Sequence, residues 1–201
     1  MNQPGTPHSS HNSGELTETS LSSKQVFKGK LLDVWLDEVR LPDGTTSTRE
    51  WIKHPGACAV VPVFKDGTIM LLRQFRFPAG VTFLEVPAGK IDPGEDPLET
   101  ARRELLEESG IRCTQLEKTG YFYPAIGYAD EIIHSYVAWD LSIESQNEDA
   151  DEFLQPLRIP FRDAIKMIHN GELTDAKTIT TLIQVKQWWL EHGPFEVNLG
   201  R

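Results

Sequence analysis

The sequence has little cysteine, no basic excess and no long apolar run. Its two cysteines, Cys58 and Cys113, stand in no metal-binding spacing and are interpreted as buried, reduced thiols of a cytoplasmic protein. The formal net charge of −10 argues against nucleic acid as a partner, because nucleic-acid-binding surfaces are basic. The sequence contains no apolar stretch long enough to cross a membrane and no apolar signal region. We therefore expect no membrane partner and no secretion.

The composition of the 201 residues divides the chain into three parts. Residues 1–23 are rich in small polar residues, Gly and Pro, and this predicts a disordered tail. Residues 24–53 alternate apolar and polar side chains around a turn signal at 42–44, and this predicts a small N-terminal antiparallel β region. Such short strands bury too little area to fold alone, so we expect them to pack on the main domain, 54–201, or on a second subunit.

The main domain is expected to be a mixed α/β fold, with a sheet between helices. The apolar run 57–64 is typical of a central strand. The further strands are expected at 69–74, 81–87, 114–122 and 131–141, and the helices after 96 and over 160–170 and 178–192. The last helix should bury an apolar side made of Ile179, Leu182, Ile183 and Leu190.

Residues 89–111 are the most informative segment. Glu104, Glu107 and Glu108 stand at helical spacing, so their carboxylates fall within one arc of a helix surface, with Arg103 beside them. Carboxylates this close repel one another unless a cation lies among them, and hard divalent cations such as Mg²⁺ prefer oxygen ligands. Such a site suits hydrolysis of a phosphate bond by a metal-activated water.

Local signals fix the ends of this helix. Asp96 is a good N-cap, Pro97 suits the first helical position, and Gly110 stands where a left-handed C-terminal residue is expected. The simpler alternative is a solvated helix whose charges form pairs such as Arg103 with Glu107. That alternative leaves the loop glycines and the separate Glu95 unexplained.

The segment resembles the Nudix box: Gly, five residues, Glu, seven residues, Arg-Glu, an apolar residue, any residue, Glu-Glu, any residue, Gly and an apolar residue. The chain supplies every fixed position, namely Gly89, Glu95, Arg103, Glu104, Leu105, Glu107, Glu108, Gly110 and Ile111. This resemblance implies a Nudix-type α/β/α sandwich with a mixed sheet across about residues 54–192.

Flanking segments resemble the ADP-ribose pyrophosphatase branch of that family. They are 49–51 with 54–57, 73–76, 85–90, 121–124 and 175–178. The resemblance implies Mg²⁺-dependent hydrolysis of the diphosphate bond of ADP-ribose to AMP and ribose 5-phosphate, with Mn²⁺ as a substitute metal. It also implies a homodimer that exchanges its N-terminal strands.

The resemblance assigns roles within the box. Glu104, Glu107 and Glu108 are expected metal ligands, together with the main-chain carbonyl of Ala88, while Arg103 holds a glutamate in position. A carboxylate of the 148–152 loop is the expected general base or additional ligand. Asp151 and Glu152 are favoured slightly, because they directly precede the apolar pair 153–154 that could anchor the loop.

Five further residues are candidate substrate contacts. Arg76 suits a diphosphate, because its guanidinium is a planar fork of donors. Trp51 could stack on adenine, with Arg49 and Glu50 near it, or could instead be a core or interface aromatic. Glu85 could accept hydrogen bonds from ribose hydroxyls or the adenine amino group, or be a salt-bridged strand carboxylate.

Three alternative functions stay open at this point. The substrate could be another nucleoside diphosphate sugar such as GDP-mannose, because the aromatic residues do not separate adenine from guanine. A protein of this fold could also bind ADP-ribose as a sensor without cleaving it, although the intact box disfavours this. Removal of nucleotide caps from RNA fits poorly with the acidic composition.

Overall fold

The computed structural model describes residues 16–144 and 153–200, which fall into two compact units. The first unit holds the chain up to His54 together with Gly127–Asp130, and the second holds Pro55–Ile126 and the chain from Glu131 onward. The elements are β1 Thr19–Lys28, β2 Asp33–Arg40, β3 Thr46–Ile52, β4 Ala57–Pro62, β5 Thr68–Arg76, β6 Val81–Glu85, β7 Ala88–Lys90, α1 Pro97–Ser109, β8 Ile111–Phe122, β9 Ile133–Ile143, β10 Gln155–Pro160, α2 Phe161–His169 and α3 Ala176–His192. No helix among the described residues is long and apolar enough to cross a membrane.

The first unit is an antiparallel three-stranded sheet in the order β1-β2-β3. Its first strand begins at Thr19, so the prediction of a disordered tail over 1–23 is wrong for residues 19–23. Composition misled here because a backbone ladder forms without apolar side chains, and Ser23 even donates a hydrogen bond to Asp37 across the pair at 2.5 Å. Among the described residues of this unit, Val39 is the one buried hydrophobic side chain.

The second unit contains a mixed four-stranded sheet, β7-β4-β9-β8, and an antiparallel three-stranded sheet, β10-β5-β6. Strand β4 is buried throughout and pairs in parallel with β9. Ala59 and Val61 pack with α2 and α3, whereas Cys58 and Val60 pack with Ala101 and Leu105 of α1. This alternation places helices on both faces of the sheet and confirms the predicted α/β sandwich.

Three local predictions for the second unit differ from the structure. Strand β6 ends at Glu85 and is exposed at its start, because it forms an edge of its sheet. Strand β10 was not predicted, and it pairs with the other side of β5. On α3, Ile183 and Leu190 are exposed. The buried stripe is instead Thr178, Thr181, Leu182, Val185 and Trp189, which includes two threonines that a hydrophobic pattern does not select.

Candidate active site

The ends of α1 form as the sequence predicts. The Asp96 side chain accepts a hydrogen bond from the backbone N–H of Leu98 at 2.8 Å, and Pro97 opens the helix. Gly110 ends it at φ 65° in the left-handed region, where a side chain would be strained, and its N–H bonds to the carbonyl of Leu106. The helix is therefore fixed at both ends, which sets the direction of its acidic side chains.

Gly89 makes room for the carboxylate of Glu104. A Cβ atom built on Gly89 would lie 2.0 Å from that carboxylate, far inside any real contact distance. Residue 89 also pairs with Cys58 in the β7–β4 ladder, so the backbone there is held by the sheet. The first glycine of the box is thus a site of close approach between strand β7 and helix α1.

Arg103 binds three carboxylates of the box. Its Nη1 group donates to Glu104 at 2.8 Å and to Glu107 at 3.0 Å, while Nε and Nη2 donate to the two oxygens of Glu95 at 3.0 and 2.9 Å. These hydrogen bonds hold the pKa of the Glu95 carboxyl at about 2 and raise the pKa of Arg103. Arg103 therefore contacts three glutamates of the box through hydrogen bonds.

Glu108 is buried and fixes the loop that leads into β7. Its carboxylate accepts a hydrogen bond from the backbone N–H of Ala88 at 2.8 Å. We call Arg103 together with Glu95, Glu104, Glu107 and Glu108 the acidic cluster. It sets one guanidinium against four carboxylates, so its net charge is strongly negative.

The chemistry of the acidic cluster suits a hard divalent cation, because its donors are carboxylate oxygens. Across residues 16–144 and 153–200, however, no group of three or more His, Cys, Asp or Glu side chains is arranged to hold a metal ion. The reason is visible in the contacts, since Arg103 lies between Glu104 and Glu107 and satisfies both.

A second set of charges surrounds Glu85, which is 4% exposed. Arg76 donates to both of its oxygens at 2.7 Å, and Lys177 donates to Oε2 at 3.0 Å and lies 3.1 Å from Asp175. Burial alone would raise the pKa of Glu85, but Arg76 and Lys177 outweigh it and lower the pKa. We call Arg76, Glu85, Asp175 and Lys177 the balanced cluster, because two cations face two carboxylates.

The N-terminus of α3 is part of this arrangement. Asp175 caps the helix by accepting from the N–H and hydroxyl of Thr178 at 2.9 and 2.6 Å. The Thr178 hydroxyl in turn accepts from the N–H of Val86 at 2.9 Å. Lys177, Asp175 and Thr178 are not among the site residues predicted from the sequence. The segment 175–178 is, however, one of those that resemble the ADP-ribose pyrophosphatase branch.

The structure separates the three candidates on β3 by face. Arg49 and Trp51 alternate with Glu50, so Glu50 points to the opposite side of the sheet. Trp51 stacks on Trp35 across the strand pair, with ring centroids 6.3 Å apart, and Arg49 is paired with Glu18. Glu50 is therefore next to Trp51 and Arg49 in the chain but lies on the other face of the sheet.

The candidate bases Asp151 and Glu152 lie outside the described residues. The two residues expected to anchor their loop behave differently, because Leu154 is buried whereas Phe153 is 84% exposed. Of the two residues, only Leu154 is therefore buried as an anchor of the loop would be.

Family comparison agrees with the box and the fold. The description "NUDIX domain" matches residues 53–182, and "Nucleoside diphosphate sugar hydrolase N-terminal domain" matches residues 18–52. The chain belongs to the Nudix family.

Individual relatives cover most of the chain. The ADP-ribose pyrophosphatase of Bacillus subtilis (strain 168) is 42% identical over 176 residues, which is 86% of this chain and 95% of the relative. The methanol dehydrogenase activator of Bacillus methanolicus is 40% identical over 164 residues, or 81% of this chain and 89% of the relative. A crystal structure described as an ADP compounds hydrolase has a TM-score of 0.77 at 26% identity and covers 88% of this chain and 96% of its own.

Proposed function

We propose that this protein hydrolyses the diphosphate bond of ADP-ribose to AMP and ribose 5-phosphate with a divalent metal ion. The observation that carries the proposal is the intact acidic cluster on α1, packed against Gly89 and the backbone of Ala88. The relative named ADP-ribose pyrophosphatase, matched over almost its whole length, supports the choice of substrate.

Glu104, Glu107, Glu108 and the carbonyl of Ala88 are the groups that would hold the metal, for which we propose Mg²⁺ with Mn²⁺ as a substitute. Nudix ADP-ribose pyrophosphatases generally use divalent metal ions. A bound divalent ion supplies an activated water and neutralises charge on the phosphoryl oxygens. Arg103 keeps Glu104 and Glu107 in place, and the Ala88 N–H keeps Glu108 in place.

Arg76 is our candidate for binding the substrate's diphosphate, and Trp51 is our candidate for stacking on its base. Glu85 already accepts three hydrogen bonds from Arg76 and Lys177. We therefore assign it to holding Arg76, which was the salt-bridge alternative for this residue. Asp151 and Glu152 remain the proposed sources of the general base.

The test is release of AMP from ADP-ribose with Mg²⁺, measured beside GDP-mannose and beside the Glu108→Gln variant. We expect a clear preference for ADP-ribose that is lost in the variant. GDP-mannose pyrophosphatases are also among the relatives, so a preference for GDP-mannose would keep the chemistry and replace the substrate. ADP-ribose binding without cleavage would make the protein a sensor.

We further propose a cytoplasmic homodimer in which β1–β3 contact a second copy. All ten residues of β1 are exposed, including Phe27 at 55% and Val26 at 48%, and the sheet has almost no core of its own. Both cysteines are free thiols, which suits a reducing compartment. Deleting residues 1–53 should abolish both dimer and activity, as checked by light scattering and AMP release. An active monomer from this deletion would contradict the dimer.

A further inference from the structure

Arg76 is held by one edge of its guanidinium. Its Nε and Nη2 groups donate to the two oxygens of Glu85, both at 2.7 Å, in a parallel two-point pair. A guanidinium carries five N–H donors, so the Nη1 edge keeps its donors while the opposite edge is fixed. No residue in the described ranges accepts a hydrogen bond from Nη1, and the Arg76 side chain is 46% exposed. This geometry presents a fixed donor edge to an anion.

Glu85 has a second cationic partner besides Arg76. Glu85 and Arg76 alone would cancel, and a buried carboxylate with one partner would draw the guanidinium closely to itself. Lys177 supplies the additional positive charge from α3, with its side chain only 15% exposed. Asp175, which contacts Lys177, is itself occupied in capping the helix through Thr178. Lys177 therefore shares Glu85 with Arg76, and both cations donate to its Oε2 oxygen.

The backbone next to Glu85 is held from the same helix end. Thr178, the residue after Lys177, accepts a hydrogen bond from the N–H of Val86, the residue after Glu85. Thr178 is fully buried, so water does not compete for that bond. Two successive residues of α3 thus hold two successive residues at the end of β6, one through a side chain and one through the backbone.

We propose that Lys177 is a positioning residue for the substrate's diphosphate, acting through Glu85 to hold the free donor edge of Arg76 toward that anion. The proposal rests on the proposed function, since it concerns the same diphosphate. Lys177 itself makes no substrate contact in this assignment. Its effect belongs to binding rather than to the chemical step.

Lys177→Met tests the assignment, because Met keeps the length of the side chain and removes its charge. We expect the KM for ADP-ribose to rise about tenfold with kcat changed less than about twofold, because one nearby positive charge is lost. The dissociation constant for ADP-ribose in EDTA, measured by titration calorimetry, should rise by a similar factor. Lys177→Arg should restore KM, since it restores the cation.

The matched control is Lys186→Met on the same helix, where no described carboxylate accepts a hydrogen bond from the lysine. It should leave KM and kcat unchanged. A merely structural role for Lys177 would lower the melting temperature without raising KM, and that outcome would overturn the proposal. Restoration of KM by Lys177→Arg is a result that such a role does not predict.

A double-mutant cycle with Glu85→Gln separates action through Glu85 from direct contact with substrate. If Lys177 acts through Glu85, the double variant should bind ADP-ribose no more weakly than Glu85→Gln alone. Independent, additive losses would instead show that Lys177 reaches the substrate, and would overturn the proposal. Failure of the proposed function appears elsewhere, in a wild-type protein that releases no AMP. An active wild type with unchanged KM in Lys177→Met defeats the positioning role alone.

Discussion

The acidic cluster and the balanced cluster stand at opposite ends of the short segment 85–89, and they differ in charge. The acidic cluster holds one cation, Arg103, which contacts three of its four carboxylates, whereas the balanced cluster holds Arg76 and Lys177 with Glu85 and Asp175. A group of carboxylates with a net negative charge favours binding of a cation, while a neutral group has no such preference. By charge, the acidic cluster is therefore the more suited of the two to a cation.

The two clusters are joined by backbone hydrogen bonds of the segment between them. The N–H of Val86 donates to Thr178, the carbonyl of Pro87 accepts from Val60, and the N–H of Ala88 donates to Glu108. Residues 86, 87 and 88 are therefore tied to three different elements, α3, β4 and α1. Substitutions in either cluster therefore act on the same backbone segment. Whether they lower activity or stability, and by how much, should show what each cluster does.

The largest effect is expected for Glu108→Gln in the acidic cluster. Glutamine keeps an oxygen that can accept from Ala88 but removes the charge, so turnover of ADP-ribose should fall on the order of 10³-fold with the fold intact. Steady-state kinetics measure the turnover, and circular dichroism measures whether the fold is intact. Glu99→Gln, an exposed glutamate in the first turn of the same helix, is the control. Unchanged turnover in Glu108→Gln would remove this residue from the metal site.

Gly89→Ala should give the next largest loss. The new Cβ would collide with the Glu104 carboxylate, which is the far end of a flexible side chain and moves away at little cost to the fold. Displacing this carboxylate by about an ångström should lower kcat/KM by about 10²-fold with a small change in melting temperature. Gly127→Ala is the control, since a Cβ there meets no atom within 4 Å. Normal activity in Gly89→Ala would show that the position of Glu104 is not critical.

The sequence predicted the acidic cluster well because its members are local. Asp96, Pro97 and Gly110 set the helix ends, and helical spacing then brings the glutamates together without knowledge of the rest of the fold. The family resemblance identified Gly89 as part of the site. The close approach of Gly89 to Glu104 cannot be seen in any periodicity of the sequence.

The balanced cluster could not be predicted in the same way. Lys177 meets Glu85 across 92 residues of chain, and only the packing of α3 on the β6 end creates that contact. Sequence reasoning therefore proposed Arg76 for the substrate without identifying Glu85 as its hydrogen-bond partner. The start of β1 was missed for a related reason, because its partner strand rather than its own composition makes residues 19–23 a strand.

A smaller effect, on stability, should come from Thr178→Val in the arrangement around the balanced cluster. Valine keeps the volume of the side chain but leaves the Val86 N–H without its acceptor. It also removes the hydroxyl that donates a hydrogen bond to Asp175. We expect the free energy of unfolding to fall by about 1–3 kcal/mol, measured by urea denaturation. Thr181→Val is the matched control, because the Thr181 hydroxyl bonds only to the carbonyl of Lys177 in its own helix. An equal loss of unfolding free energy in both variants would show that the hydrogen bond to Val86 adds no stability beyond that of a bond within the helix.

The smallest expected effect is the pH dependence contributed by Glu95. Hydrogen bonds from Arg103 lower its pKa in the folded protein to about 2, below its usual value of 4.5. The ionised carboxylate therefore stabilises the fold fully above pH 4.5, and this contribution is lost as the pH falls from 4.5 toward 2. Glu95→Gln should thus be less stable than the wild type at pH 7, by an amount that shrinks over that window. Denaturation at several pH values measures this difference. A gap for Glu95→Gln that widened toward pH 2 would mean that Arg103 does not hold this carboxylate in its charged form, and that the acidic cluster lacks the strut that orients it.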